Sequence, residues 1–232
     1  MPVTLTDRPI LLCEGEADYE FFRKLIERRN LPPFQFPFSK EENSQGKDRF
    51  MPMLDVLATE FSRAPERKRL ISGVFIVVDS TDAPEQAFRN VVNQIRQVGE
   101  FGCPTAVLQI ATSLNHFPPV GISLIPGPDM PGALETLCLA ARKDDYSIES
   151  RCVEELVKCC GIVDTDWGRE KLDKAKFASL IAVSYPANPT RGTRNVFSDY
   201  KGEPAAIDVT SRHFNGVAAA VLSFCEQVNA LA

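Results

Sequence analysis

Ile10-Leu11-Leu12-Cys13-Glu14-Gly15-Glu16-Ala17-Asp18-Tyr19-Glu20-Phe21-Phe22 is the stretch whose reading decides the fold. An apolar run stops at a carboxylate and a glycine, and an amphipathic pattern begins at once. Ile10 to Cys13 reads as a buried strand, Gly15 as a tight turn and Ala17 to Arg29 as a helix. Phe21, Phe22, Leu25 and Ile26 recur at helical spacing, which turns one stripe of that helix onto the sheet. Glu14 then stands at the carboxyl end of a strand, where open α/β sheets bind their ligands. Asp18 falls in the first helical turn and can face the same crevice. The design recurs at Gly73-Val74-Phe75-Ile76-Val77-Val78-Asp79-Ser80-Thr81-Asp82. Two strand ends that finish in carboxylates point to a metal site.

Outward from these two stretches the pattern alternates. Phe34 to Phe38 reads as a short edge strand after Pro32-Pro33. Ser39 to Arg49 reads as a polar loop, and Phe50, Met53, Leu54, Leu57, Ala58 and Phe61 mark a second amphipathic helix. Leu70 to Val78 is apolar at nearly every position, as a central parallel strand is. A helix carrying Phe88, Val91, Val92, Ile95 and Val98 follows, then expected strands at Thr105 to Ile110 and Val120 to Ile125, and a helix with Leu134, Leu137, Cys138 and Ala141. This alternation predicts an α/β fold with a mainly parallel sheet flanked by helices. Beyond about Ser147 the pattern is helical to the end, with apolar stripes near Val153, from Leu172 to Val183 and from Phe214 to Val228. The division read here is a core over 1–146 and a helical extension over 147–232 packed on it as one structural domain.

The 232 residues suffice for a real core, and 44% hydrophobic with 25% charged residues is the make-up of an ordinary globular protein. A net charge of -5 argues against a broad surface that coats nucleic acid, though not against an acidic site filled by divalent cations. The seven cysteines lack C-x-x-C spacing and read as reduced, mostly buried thiols of a cytoplasmic protein. No signal peptide or membrane-spanning run is present in the sequence, which excludes a membrane partner from this reading. Arg63, Arg67, Lys68 and Arg69 read as a solvated connector rather than a phosphate patch. His116 and His213 have no partner at recognisable spacing, and Trp167 reads as a core or interface residue.

The carboxylates Glu14, Asp18, Asp79, Asp82 and Glu135 are the residues that could carry chemistry. Magnesium takes oxygen ligands and keeps several waters, so two or three converging carboxylates are enough. Strand-Glu14-Gly15, followed by a strand ending Val77-Val78-Asp79, resembles the Toprim domain of topoisomerases, primases, recombination-repair proteins and overcoming-lysogenization-defect nucleases. Glu14-Gly15-Glu16-Ala17-Asp18 looks like the nuclease branch, in which a second acid follows the glutamate by four residues. Met130-Pro131-Gly132-Ala133-Leu134-Glu135, Gly46-Lys47-Asp48, Lys174-Ala175-Lys176 and the Pro189 to Arg194 loop are similar to features of a stand-alone Toprim-like family of unknown function.

The resemblance implies a Toprim, Rossmann-like fold and a magnesium- or manganese-dependent nuclease acting on DNA or RNA. Glu14 would be the general acid/base or a metal ligand, and Asp79 a magnesium ligand. Asp18 and Glu135 would complete a second metal site. Lys176 would stabilise phosphate charge, with Lys47 the weaker candidate. The same branch often works with an ATPase, and this chain carries no P-loop, so a separate ATPase subunit is an expected partner. Homo-oligomerisation stays open.

The chain departs from the family at one point. The usual Asp-x-Asp pair is broken by Thr81. Asp82 is a substitute ligand if the turn is irregular, but Asp82-Ala83-Pro84-Glu85 has the spacing of a helix-capping box, and that reading weighs more. The departure opens an alternative, a catalytically degenerate scaffold that binds a protein or nucleic-acid partner. Asp18 and Glu135 have their own structural explanation in the helix dipole, as do Lys174 and Lys176 in a solvated helix face. A haloacid-phosphatase reading around Asp79 fails, because it needs an aspartate where Thr81 stands.

Overall fold

The computed structural model describes residues 5–38, 50–66, 71–162, 167–185, 189, 195–199, 202 and 204–231. Three parallel strands, β1 (Ile10–Cys13), β2 (Val74–Asp79) and β3 (Val120–Ile125), form a sheet in the order β1-β2-β3. The register sets Ile10 beside Val74, Val74 beside Val120 and Asp79 beside Ile125. The helices are α1 (Glu16–Arg28), α2 (Phe50–Arg63), α3 (Pro84–Val98), α4 (Leu134–Asp145), α5 (Ser147–Cys159), α6 (Arg169–Ser184) and α7 (Asn215–Asn229). This is an α/β fold compatible with the Rossmann-like class.

Side chains alternate across a strand, and here the alternation splits the core into two layers. Ile10, Leu12, Val74, Ile76, Val78, Val120, Ile122 and Leu124 pack against α2 and α3. Leu11, Cys13, Phe75, Val77 and Ile125 face the other way, onto α1, α4, α6 and α7. The C-terminal helix is part of that second layer. Phe224 of α7 stacks on Phe75 of β2 at 4.6 Å between ring centroids. A Cβ on Gly73 or Gly121 would come within 2.8 or 2.9 Å of that ring, so both positions are held to glycine by the approach of α7. The C-terminal helix α7 thus packs directly on one face of the sheet.

Two expected strands are corrected. Phe34 to Phe38 contributes one parallel bridge, Gln35 to Ile10, because the prolines at 32, 33 and 37 interrupt any longer ladder. Thr105 to Ile110 turns instead of extending: Leu108 has a φ of 62° and donates its N–H to Ile122 at 2.8 Å, and only Ala111 bridges to Val120. Trp167 is 43% exposed rather than core. The seven cysteines are all free, but buried only at Cys13, Cys138 and Cys225, while Cys152, Cys159 and Cys160 are exposed. Among the described residues no helix is long and apolar enough to cross a membrane.

Candidate carboxylate site

Parallel strands present the N-termini of the following helices at one edge of the sheet, and the acids gather there. β1 ends at Cys13, and the chain bends through Glu14 to the N-cap of α1, Gly15. The Asp18 carboxylate reaches back to accept the Gly15 N–H at 2.9 Å, which turns it toward the strand end. β2 ends in the buried Asp79, whose Oδ1 accepts the Leu134 N–H at 3.1 Å. That bond ties the end of β2 to the start of α4, where Glu135 is also buried.

Two turns hold this junction. Thr81, with a φ of 55°, and Gly132, with a φ of 136°, exchange backbone hydrogen bonds of 2.8 and 2.7 Å. A Cβ on Gly132 would stand 2.3 Å from Thr136 Oγ1, so glycine is required for both conformation and space. Thr136 accepts the Ala133 N–H at 3.1 Å and donates to the buried Asp173 of α6 at 2.7 Å. Arg169 also donates to Asp173, at 2.8 Å. Through this chain α4 and α6 are locked together, and Lys174, next to Asp173, reaches the acids. Its Nζ lies 3.3 Å from Asp79 Oδ2 and 2.8 Å from Glu170 Oε1.

The electrostatics match the crowding. Burial, then the charges of Asp79, Glu135 and Glu14, hold the Asp18 carboxyl well above the usual range, against the Gly15 hydrogen bond. Burial pushes Asp79 up to about 6; the Lys174 ammonium opposes this and the Glu135 charge adds to it. Glu135 is raised by burial, again opposed by Lys174. Burial works against the charge on Lys174, but Asp79, Glu170 and Glu135 outweigh it and hold the amine above its ordinary value. Burial, followed by the charges of Glu135, Asp18 and Asp79, raises the Cys138 thiol. Glu14, Asp18, Asp79 and Glu135 therefore form one electrostatic unit, as their positions in sequence predict.

Two expected members lie elsewhere. Lys176 is corrected: its Nζ pairs with Glu154 of α5 at 2.9 Å. Two residues along a helix is a rotation of about 200°, so Lys174 and Lys176 face opposite sides. Among the described residues the cation beside Asp79 is Lys174, and spacing alone does not separate the two lysines, since Lys176 also follows an acid, Asp173, at helical spacing. Asp82 is exposed, and its Oδ1 accepts the Glu170 N–H at 3.1 Å, in the first turn of α6. It caps a helix, but a distant one; the N-cap of its own helix is Ala83, without a side-chain cap. Thr81 Oγ1 accepts the Ala83 N–H at 3.4 Å. Lys47 and most of the Pro189 to Arg194 loop lie outside the described residues.

The donor set, carboxylate oxygens alone, suits a hard divalent cation in its chemistry. In its present arrangement, however, no three acids, thiols or imidazoles among the described residues are grouped to hold a metal ion. The class defined so far is an α/β protein with a carboxylate-rich, lysine-bridged site at the carboxyl edge of a parallel sheet. Residues 8–200 match the model of the family described as protein of unknown function (DUF3226), and the chain belongs to that family. No curated protein and no solved structure matches it.

Proposed function

We propose that this chain carries a Toprim-type phosphoryl-transfer site that uses magnesium or manganese to cleave a phosphodiester of DNA or RNA. The observation that supports this reading is the convergence of Asp18, Asp79 and Glu135 at the carboxyl edge of the sheet, with Glu14 on the adjoining bend. Like charges crowded in a desolvated place weaken the fold, and such arrangements gather at functional sites. In this reading Asp79, Asp18 and Glu135 would hold the cation. When bound, it would polarise the phosphoryl oxygen and acidify a water. Glu14, less buried than Asp79, would move a proton at the reacting oxygen. Lys174, in the place expected for Lys176, would offset charge on the phosphate. The test is cleavage of single- and double-stranded DNA and RNA with magnesium or manganese. The expected result is metal-dependent cleavage that falls by about 100-fold or more in Glu14→Ala and Asp79→Ala.

A second reading is a degenerate scaffold that binds a protein or nucleic-acid partner, a separate ATPase subunit included. It is favoured by Thr81, whose backbone is paired with Gly132 and whose hydroxyl turns to the Ala83 N–H, so it is no substitute for a second aspartate. Absence of cleavage on every substrate, with a stable partner complex that survives Asp79→Ala, would decide for it.

A further inference from the structure

Both oxygens of Asp79 are engaged. Oδ1 accepts the Leu134 N–H at 3.1 Å, and Oδ2 faces the Lys174 ammonium at 3.3 Å. A dication approaching Oδ2 would meet a fixed positive charge on the ligand it needs. The ammonium is kept there by α6. Glu170 holds Lys174 Nζ at 2.8 Å, Asp82 caps the first turn through the Glu170 N–H, and Asp173 binds Thr136 of α4. The lysine also has a way out. Its side chain is 42% exposed, and its flexible stem can carry the charge into water without opening the core.

From these contacts we propose that Lys174 is a tethered counter-ion guarding Asp79. A divalent cation enters as the ammonium leaves, so metal affinity is set by how firmly α6 holds Lys174 in place. The guard acts on the site proposed above and therefore rests on that reading. It adds a regulator: a partner or substrate phosphate that draws Lys174 away would favour metal loading, because the two events share one carboxylate oxygen.

The test is calorimetric titration of manganese into the full chain at about pH 8. Wild type, Lys174→Gln and Lys176→Gln are compared. Lys174→Gln should bind at least about tenfold more tightly than wild type, and Lys176→Gln should match wild type. In parallel, wild-type lysines are acetylated with acetic anhydride with and without manganese and read by mass spectrometry. Lys174 should gain reactivity on metal addition while Lys176 does not. Equal or weaker binding in Lys174→Gln overturns the guard but leaves the metal reading standing. So does a Lys174 whose reactivity stays constant at saturating manganese. No binding to either chain at millimolar manganese overturns both. If circular dichroism shows that Lys174→Gln does not fold, wild-type labelling decides alone.

Discussion

The faces of the sheet and its carboxyl edge follow opposite rules. On the faces, alternating apolar residues of β1, β2 and β3 meet apolar stripes of the helices, and aromatic rings such as Phe75 and Phe224 stack in the space between. Local pattern and global packing agree there. At the edge, burial and the charges of neighbouring acids raise the affinity of Asp18, Asp79 and Glu135 for protons, and two residues at positive φ, Thr81 and Gly132, hold the strand end against α4. The difference teaches where stability is made and where it is given up. Local conflict within an otherwise consistent fold is expected at functional or strained sites.

The sharpest way to break this contrast is to attack the face. Phe224→Ala should lose about 3–5 kcal/mol in urea unfolding, because it removes a buried ring from between α7 and the sheet. A cost below about 1 kcal/mol would show that the C-terminal helix is peripheral to the core, contrary to its packing on Phe75.

At the edge a substitution should act in the opposite direction. Asp18→Asn keeps an acceptor for the Gly15 N–H and removes one of the crowded charges. The folded state raises this carboxyl above its ordinary value of 3.8, so it holds the proton more tightly than the unfolded chain. The stability contributed is complete below that value and is lost as pH rises through the folded-state pKa. Asp18→Asn should therefore stabilise the protein by about 0.5–2 kcal/mol at neutral pH, with the gain disappearing in acid. Urea unfolding across pH reads this. A neutral-pH loss, or a gain independent of pH, would remove the edge's claim to stored electrostatic conflict.

The smallest effect probes the link between the regions. Asp82→Ala removes the side chain that caps α6 from another element and should cost about 1 kcal/mol. Hydrogen exchange should quicken at amides of the first turn of α6 and leave α3 unchanged. Faster exchange at the start of α3 instead would restore the local capping box.

Much of this was legible along the chain. Hydrophobic periodicity located all seven described helices and the three strands, because a buried stripe or run leaves a period that needs no knowledge of its partner. Glu14, Asp18, Asp79 and Glu135 were readable as site candidates for a related reason, since the carboxyl ends of parallel strands lie on one edge. The misses fall where periodicity is weak or where long-range contacts compete. Phe34 to Phe38 alternates like a strand, but the prolines at 33 and 37 have no N–H to extend the ladder on either side of Gln35, and Leu108 breaks its run by a positive φ that no hydrophobic pattern encodes.

The sequence alone determined the strand–helix alternation, the two-layer core and the acids at the strand ends, because each depends on spacing within a short window. Tertiary structure decided which cation meets them and what Asp82 does. Lys174 and Lys176 are equal candidates until the rotation of α6 is set by Phe177 and Ile181 entering the core. Only that packing turns Lys174 to Asp79 and Lys176 to Glu154, and brings the Glu170 N–H to Asp82 across 88 residues of chain.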